Sequence, residues 1–217
     1  MEREYISVTD TAKLVRLVLK ESFPGVKFSV KSSKYSGGAS VDIHYTDGPQ
    51  EKIIMEAVDC FSGAYFDGMI DYQGTVYATL DGQPVRFGAN FVFANQTHSD
   101  PVMQRGIWAF ILKYENNSLL NIKEWGFHKV GEWSPTKLLD HYKRGLLMNE
   151  YLTGIGSKDV HRLIYESILE DCAIPTCESK TRARVTVTHS DGYGNSGLPD
   201  ENGKSCKGYP EISQGAA

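Results

Sequence analysis

Across Phe23-Pro24-Gly25 the apolar spacing of this chain changes period, and that change limits what it can fold into. Before it, Leu14, Leu17 and Val18 recur at helical steps behind a Thr9-Asp10 cap. After it, Phe28 and Val30 alternate with Lys27, Ser29 and Lys31, the period of a half-buried strand. A second strand follows, with Val41, Ile43 and Tyr45 on one face and Ser40, Asp42 and His44 on the other. The stretch Ser33–Gly38 between them reads as an exposed, mobile hairpin loop. Thr46-Asp47-Gly48-Pro49 is a turn, and Ile53, Ile54, Ala57, Val58 and Phe61 then restore helical spacing. A helix, strand, strand, helix opening points to an α+β fold.

Two further strands are expected at Thr75–Leu80 and Ala89–Phe93, separated by Asp81-Gly82-Gln83-Pro84. Ser99-Asp100-Pro101 caps a helix to about Tyr114. Beyond Asn116 the pattern turns helical, with Ser134-Pro135 opening a helix to about Tyr151 and a second helix running from Lys158 to Cys172. Arg182–Thr188 alternates like a strand, and Ser190–Ala217 reads as a poorly ordered tail. The expected fold is α+β: a mainly antiparallel sheet of three to five strands, flanking helices and a helical C-terminal extension. The expected domains are 1–115 (α+β), 116–180 (helical) and 181–217 (strand plus flexible tail).

Composition narrows the class further. The 217 residues are 41% hydrophobic, and 23 basic against 27 acidic residues leave a net charge of −4. A chain of this length buries roughly 70% of its unfolded surface, so its core needs neither disulfides nor metal. No apolar run reaches the roughly 20 residues of a membrane span, and Met1-Glu2-Arg3-Glu4-Tyr5 lacks the pattern of a secretory leader. The expected setting is the cytoplasm, without membrane contact, with Cys60, Cys172, Cys177 and Cys206 as thiols.

Several motifs invite chemistry and withhold it. Gly192-Tyr193-Gly194-Asn195-Ser196-Gly197 spells a dinucleotide-type glycine pattern, but Leu198-Pro199-Asp200 follows where a helix must receive the pyrophosphate. Gly203-Lys204-Ser205 resembles the end of a phosphate loop with the wrong glycine spacing. Cys172 and Cys177, with Cys206, His161 or His189, have a zinc-like spacing but no second tight pair, so no metal is expected. Asp67 and Asp71 are close enough in sequence to share a divalent cation or acid/base work, as a hydrolase or nuclease-like site would require, and turn formation explains them equally well. No catalytic residue and no cofactor is assigned.

The charge distribution is more informative. Between residues 12 and 34, Lys13, Arg16, Lys20, Lys27, Lys31 and Lys34 face one acid, Glu21, a local charge of +5 in an acidic chain. With Tyr35, Gly37 and Gly38 in the hairpin, these cations form a candidate surface for gripping phosphate and stacking on a base. A solvated charged face is the competing reading.

The strings Phe28–Ser33, Tyr35–Ser40 and Tyr45–Pro49, then Phe66–Asp71 and Val85–Phe93, resemble in this order the large polyvalent protein-associated domain 29 family. The resemblance spans about residues 9–115. It departs at Tyr45, where the family carries tryptophan, and at Gln96 and Thr97, where arginines often follow the strand. It implies a mobile-element or phage protein, alone or within a larger chain, of a kind thought to accompany incoming DNA and counter host defences. It supplies no catalytic residues. The function expected is a non-catalytic binding module whose partner is nucleic acid or a host defence protein.

Overall fold

Ser7, two residues ahead of the expected cap, opens the first helix: its Oγ accepts from the Asp10 backbone N–H at 3.2 Å and donates to the Asp10 carboxylate at 2.7 Å. The computed structural model describes residues 3–118, 129–170, 172, 174 and 176–204. They form two compact units. One comprises residues up to Tyr45, Glu51–Asn95 and the segment from Pro175 onward; the other comprises Thr46–Gln50 and Gln96–Ile174.

In the first unit, β1 (Glu4–Ile6) leads into α1 (Val8–Ser22), which buries Val8, Ala12, Val15, Val18 and Leu19 at helical spacing. Leu17, expected on this apolar face, is exposed, because the buried stripe steps by three and four residues through Val8, Ala12, Val15, Val18 and Leu19, and position 17 falls outside it. β2 (Phe28–Tyr35) and β3 (Gly38–Thr46) form the expected hairpin. Its strands run further than expected. Tyr35 pairs with Gly38, so only Ser36 and Gly37 turn, and Gly37 takes the φ of +92° that such a turn favours in glycine.

The remaining elements are α2 (Glu51–Val58), β4 (Ala64–Asp67), β5 (Tyr72–Leu80), β6 (Gln83–Phe87) and β7 (Phe91–Thr97). After the helical stretch come α6 (Lys180–Ala183) and β8 (Val185–Ser190). Among the described residues, eight strands make two sheets. One has the order β1-β6-β5-β4 with β8 also on β5, and the other the order β2-β3-β7.

The sheets are mixed, which corrects the expectation of a mainly antiparallel one: β1 pairs β6 in parallel, with Tyr5 opposite Arg86. A parallel partner 81 residues away leaves no turn signal in the sequence, whereas hairpins do. Both sheets and the first two helices share one core, where Phe23, Val41, Ile43, Ile54, Phe61, Val85 and Phe87 are almost wholly buried.

The second unit is helical. α3 (Asp100–Tyr114), α4 (Pro135–Lys143) and α5 (Val160–Glu170) enclose Ile107, Phe110, Leu138, Leu147, Leu152, Ile164 and Ile168. α3 thus packs with α4 and α5 in the second unit. No helix among the described residues is long and apolar enough to cross a membrane.

Candidate functional site

The six cations of residues 12–34 divide between a helix and the two faces of a hairpin. Lys13 pairs with Asp10 at 2.8 Å on the exposed side of α1. Arg16 and Lys20, one turn apart, lean toward the start of β2. With Phe23, Pro24, Gly25, Val26, Phe28 and Val30 they line a groove of about 390 Å³. Arg16 Nη2 donates to the Val30 carbonyl at 2.6 Å, and β2 is an edge strand, so the guanidinium occupies an acceptor that the sheet leaves open.

On the hairpin, alternation decides which cation joins this groove. Phe28 and Val30 lie against Tyr45 and Ile43 on the core face, and Lys34, opposite Ala39, continues that face beyond the core. Lys31 stands on the other face, directly across from Asp42. Lys27 precedes β2 and is exposed. Tyr35 is half exposed. Its ring closes over Gly38, where a Cβ would fall 3.1 Å from Tyr35 Cε2 and 2.9 Å from Asn90 Oδ1. Asn90 Oδ1 accepts from the Ala39 N–H at 2.9 Å, so this end of the hairpin is braced by the residue that precedes β7.

Glu21, the lone acid in the basic run, is engaged elsewhere. Its carboxylate accepts from Ser179 Oγ at 2.6 Å, Thr181 N–H at 2.9 Å and Thr181 Oγ1 at 3.0 Å, tying the end of α1 to the start of α6. The Ser179 hydrogen bond, then that of the Thr181 N–H, holds its pKa below the ordinary value. It does not neutralise Lys20 or Arg16 by a direct ion pair.

The acidic alternative fares differently. Asp67 is buried, with Oδ1 accepting from the Met69 N–H at 3.0 Å and Oδ2 from the Asn195 N–H at 2.8 Å. Asp71 is exposed in a turn at φ 50°. Asp67 is therefore committed to backbone donors, the role of a turn-forming carboxylate. Among the described residues there is no group of three or more His, Cys, Asp and Glu placed to hold a metal ion. Cys172 is buried in the helical core and Cys177 is exposed, while Cys206 lies outside the described residues.

The glycine-rich tail was expected to lack order, and its described part is organised by side chains that the sequence does not reveal. Asp191 accepts from the hydroxyls of Tyr65 at 2.8 Å and Tyr72 at 3.0 Å and from the Thr75 N–H at 2.7 Å. Tyr193 packs on Tyr72 with ring centroids 4.7 Å apart. The N–H groups of Gly194 and Asn195 go to Tyr65 Oη and Asp67, so the dinucleotide-like glycines bond within the protein. Burial and the Asp191 hydrogen bond push the Tyr65 phenol up to about 12. Residues 205–217, the rest of the expected tail, lie outside the described residues.

Residues 6–99 match the family model of the large polyvalent protein associated domain 29. The match agrees with the resemblance carried by the hairpin and the strands that follow it, and it ends just before α3. It associates this segment with phages and other mobile genetic elements. No curated protein matches the chain, and no solved structure does.

Proposed function

We propose that the segment matching the polyvalent-protein family acts as a non-catalytic module that binds nucleic acid through the groove between α1 and β2. The observation that carries this reading is the composition of the groove: a floor of Pro24, Val26 and Phe28 beside Arg16 and Lys20, with Lys34 further along the same sheet face. An apolar floor accepts the face of a base or sugar, and cations beside it neutralise the attached phosphate. Arg16 spends one donor on Val30 and keeps others, since a guanidinium carries five N–H groups.

A hydrolase using Asp67 and Asp71 has less support, because both Asp67 oxygens already serve backbone N–H groups. The test is a titration of the whole chain with single- and double-stranded oligonucleotides at low salt. Lys20→Ala and Lys34→Ala should each weaken binding and reduce the log–log salt slope by roughly 0.7 to 0.9 per lost phosphate contact. Undetectable binding to either oligonucleotide refutes the reading. Retention of a host protein after nuclease treatment then points to a defence protein as the partner.

A further inference from the structure

The five-stranded sheet has a face that the core does not use. Ile6, Ala78, Val85, Phe87 and Val185 point inward and are buried. Alternation therefore sends Tyr5, Arg86, Tyr77 and Thr79 outward. Tyr5 lies directly across from Arg86 on the parallel pair, and Tyr77 lies across from His189 on the β5–β8 pair.

These side chains are arranged as a surface. The Arg3 guanidinium sits 4.1 Å from the Tyr77 ring centroid, and its Nη2 is 3.4 Å from His189 Nε2. The Tyr77 and His189 rings are 4.7 Å apart at 30°. Tyr5 is 65% exposed, yet its ring is seated over Gly88, where a Cβ would fall 2.8 Å from Tyr5 Cζ. The outward positions of these strands include Tyr5, Arg86, Tyr77, Thr79, Thr186 and His189, and none of the outward strand positions is acidic. In a chain of net charge −4 that is a segregated face. Among the described residues neither Arg3 nor Arg86 forms an ion pair.

We propose that this face is a stacking platform for single-stranded nucleic acid. Every base presents a π-face, so the exposed Tyr5 ring takes a base without sequence preference, and the Arg86 guanidinium across from it stacks on a neighbouring base or pairs with phosphate. A duplex hides its base faces in its own stack and offers this surface only phosphates, for which two cations are few. Charge complementarity and accessible π-faces together select a single strand. The proposal rests on the reading of the domain as a nucleic-acid module, but it uses residues of the five-stranded sheet and none of the α1–β2 groove.

The experiment is fluorescence anisotropy of the full chain with a labelled oligothymidylate of about 12 nucleotides, a length within the span of such sites, and with a duplex of equal length. Tyr5→Ala and Arg86→Ala should each weaken single-strand binding about tenfold and leave duplex binding nearly unchanged, while Tyr5→Phe should bind as the parent does. Circular dichroism melts check that each variant folds, and Arg86, exposed and without a packing role, guards against a folding artefact. Single-strand binding unchanged in both Tyr5→Ala and Arg86→Ala, with Lys20→Ala or Lys34→Ala weakened, overturns the platform and leaves the groove standing. Loss in Tyr5→Phe equal to that in Tyr5→Ala also overturns stacking. A parent protein that binds neither oligonucleotide overturns both.

Discussion

Lys31 and Lys34, three residues apart on one strand, point to opposite faces of it: Lys31 lies across from Asp42 and Lys34 across from Ala39. The basic run is continuous in sequence, and the period of two splits it in space. Lys34 therefore shares a sheet face with Phe28 and Val30 of the cationic groove, whereas Lys31 stands on the other face, across from the Asp42 carboxylate.

The two lysines should accordingly behave differently. Lys34→Ala is expected to lower oligonucleotide affinity and reduce the salt slope by about one phosphate contact, or roughly 0.7 to 0.9. Lys31→Ala should change the slope by less than half as much, because Asp42 stands opposite it. Salt titrations of the two variants side by side check this, and equal effects would contradict the assignment of faces.

Glu21 should make the first unit sensitive to acid. Its folded pKa is below the ordinary 4.5, through hydrogen bonds from Ser179 and Thr181. A carboxylate depressed in the folded state stabilises above its unfolded pKa, and that stabilisation is lost as pH falls through the folded value. Glu21→Gln should thus lower the melting temperature at pH 6 to 7, and the gap between variant and parent should close toward pH 3. A gap that is constant with pH would show that the charge is not what ties α1 to α6.

How much of this was legible in the sequence depended on local signals. The Pro24-Gly25 break, the β2–β3 alternation and the Ser99-Asp100-Pro101 start all specify structure within a few residues, and the elements stand there. β1, β4 and β6 were not visible. They have three, four and five residues, and β6 contains Pro84, which suits an irregular position better than a strand interior. The expected cap at Thr9 gave way to Ser7, because Ser7 reaches Asp10 as Thr9 cannot. The groove was half legible: the cations could be counted, but their division depended on register. The outward sheet face was not legible, since Tyr5, Tyr77, Arg86 and His189 come from four strands spread over 185 positions and meet only through pairing.

Asp67 and Asp71 should separate by stability rather than by chemistry. Asp67→Asn replaces an acceptor of two N–H groups with an amide that has one carbonyl oxygen, so it should destabilise the fold by about 1 to 3 kcal/mol. Asp71→Asn, exposed and at a positive φ that asparagine tolerates, should change stability by no more than about 0.5 kcal/mol. Urea unfolding measures both. Stabilisation of the parent by magnesium or manganese, lost in both variants, would reopen the cation-site reading.

The helical unit depends on a close approach at Gly106. A Cβ at this position of α3 would fall 2.7 Å from Ile168 Cα and 2.9 Å from Ile168 N, so backbone meets backbone where α3 crosses α5. Helix propensity alone favours alanine over glycine by about 1 kcal/mol at an exposed site. Here overpacking opposes it at a cost of about 1 to 3 kcal/mol, because neither helix backbone can yield as a flexible side chain would. Gly106→Ala should therefore lower the urea midpoint despite its better propensity. Gly156, in the same unit, provides the control: nothing lies within 4 Å of its Cβ direction and its φ is not in the left-handed region. Gly156→Ala should be neutral or stabilise by about 0.4 to 1 kcal/mol through the unfolded chain. Equal midpoints for the two variants would mean that α3 and α5 stand further apart than this contact requires.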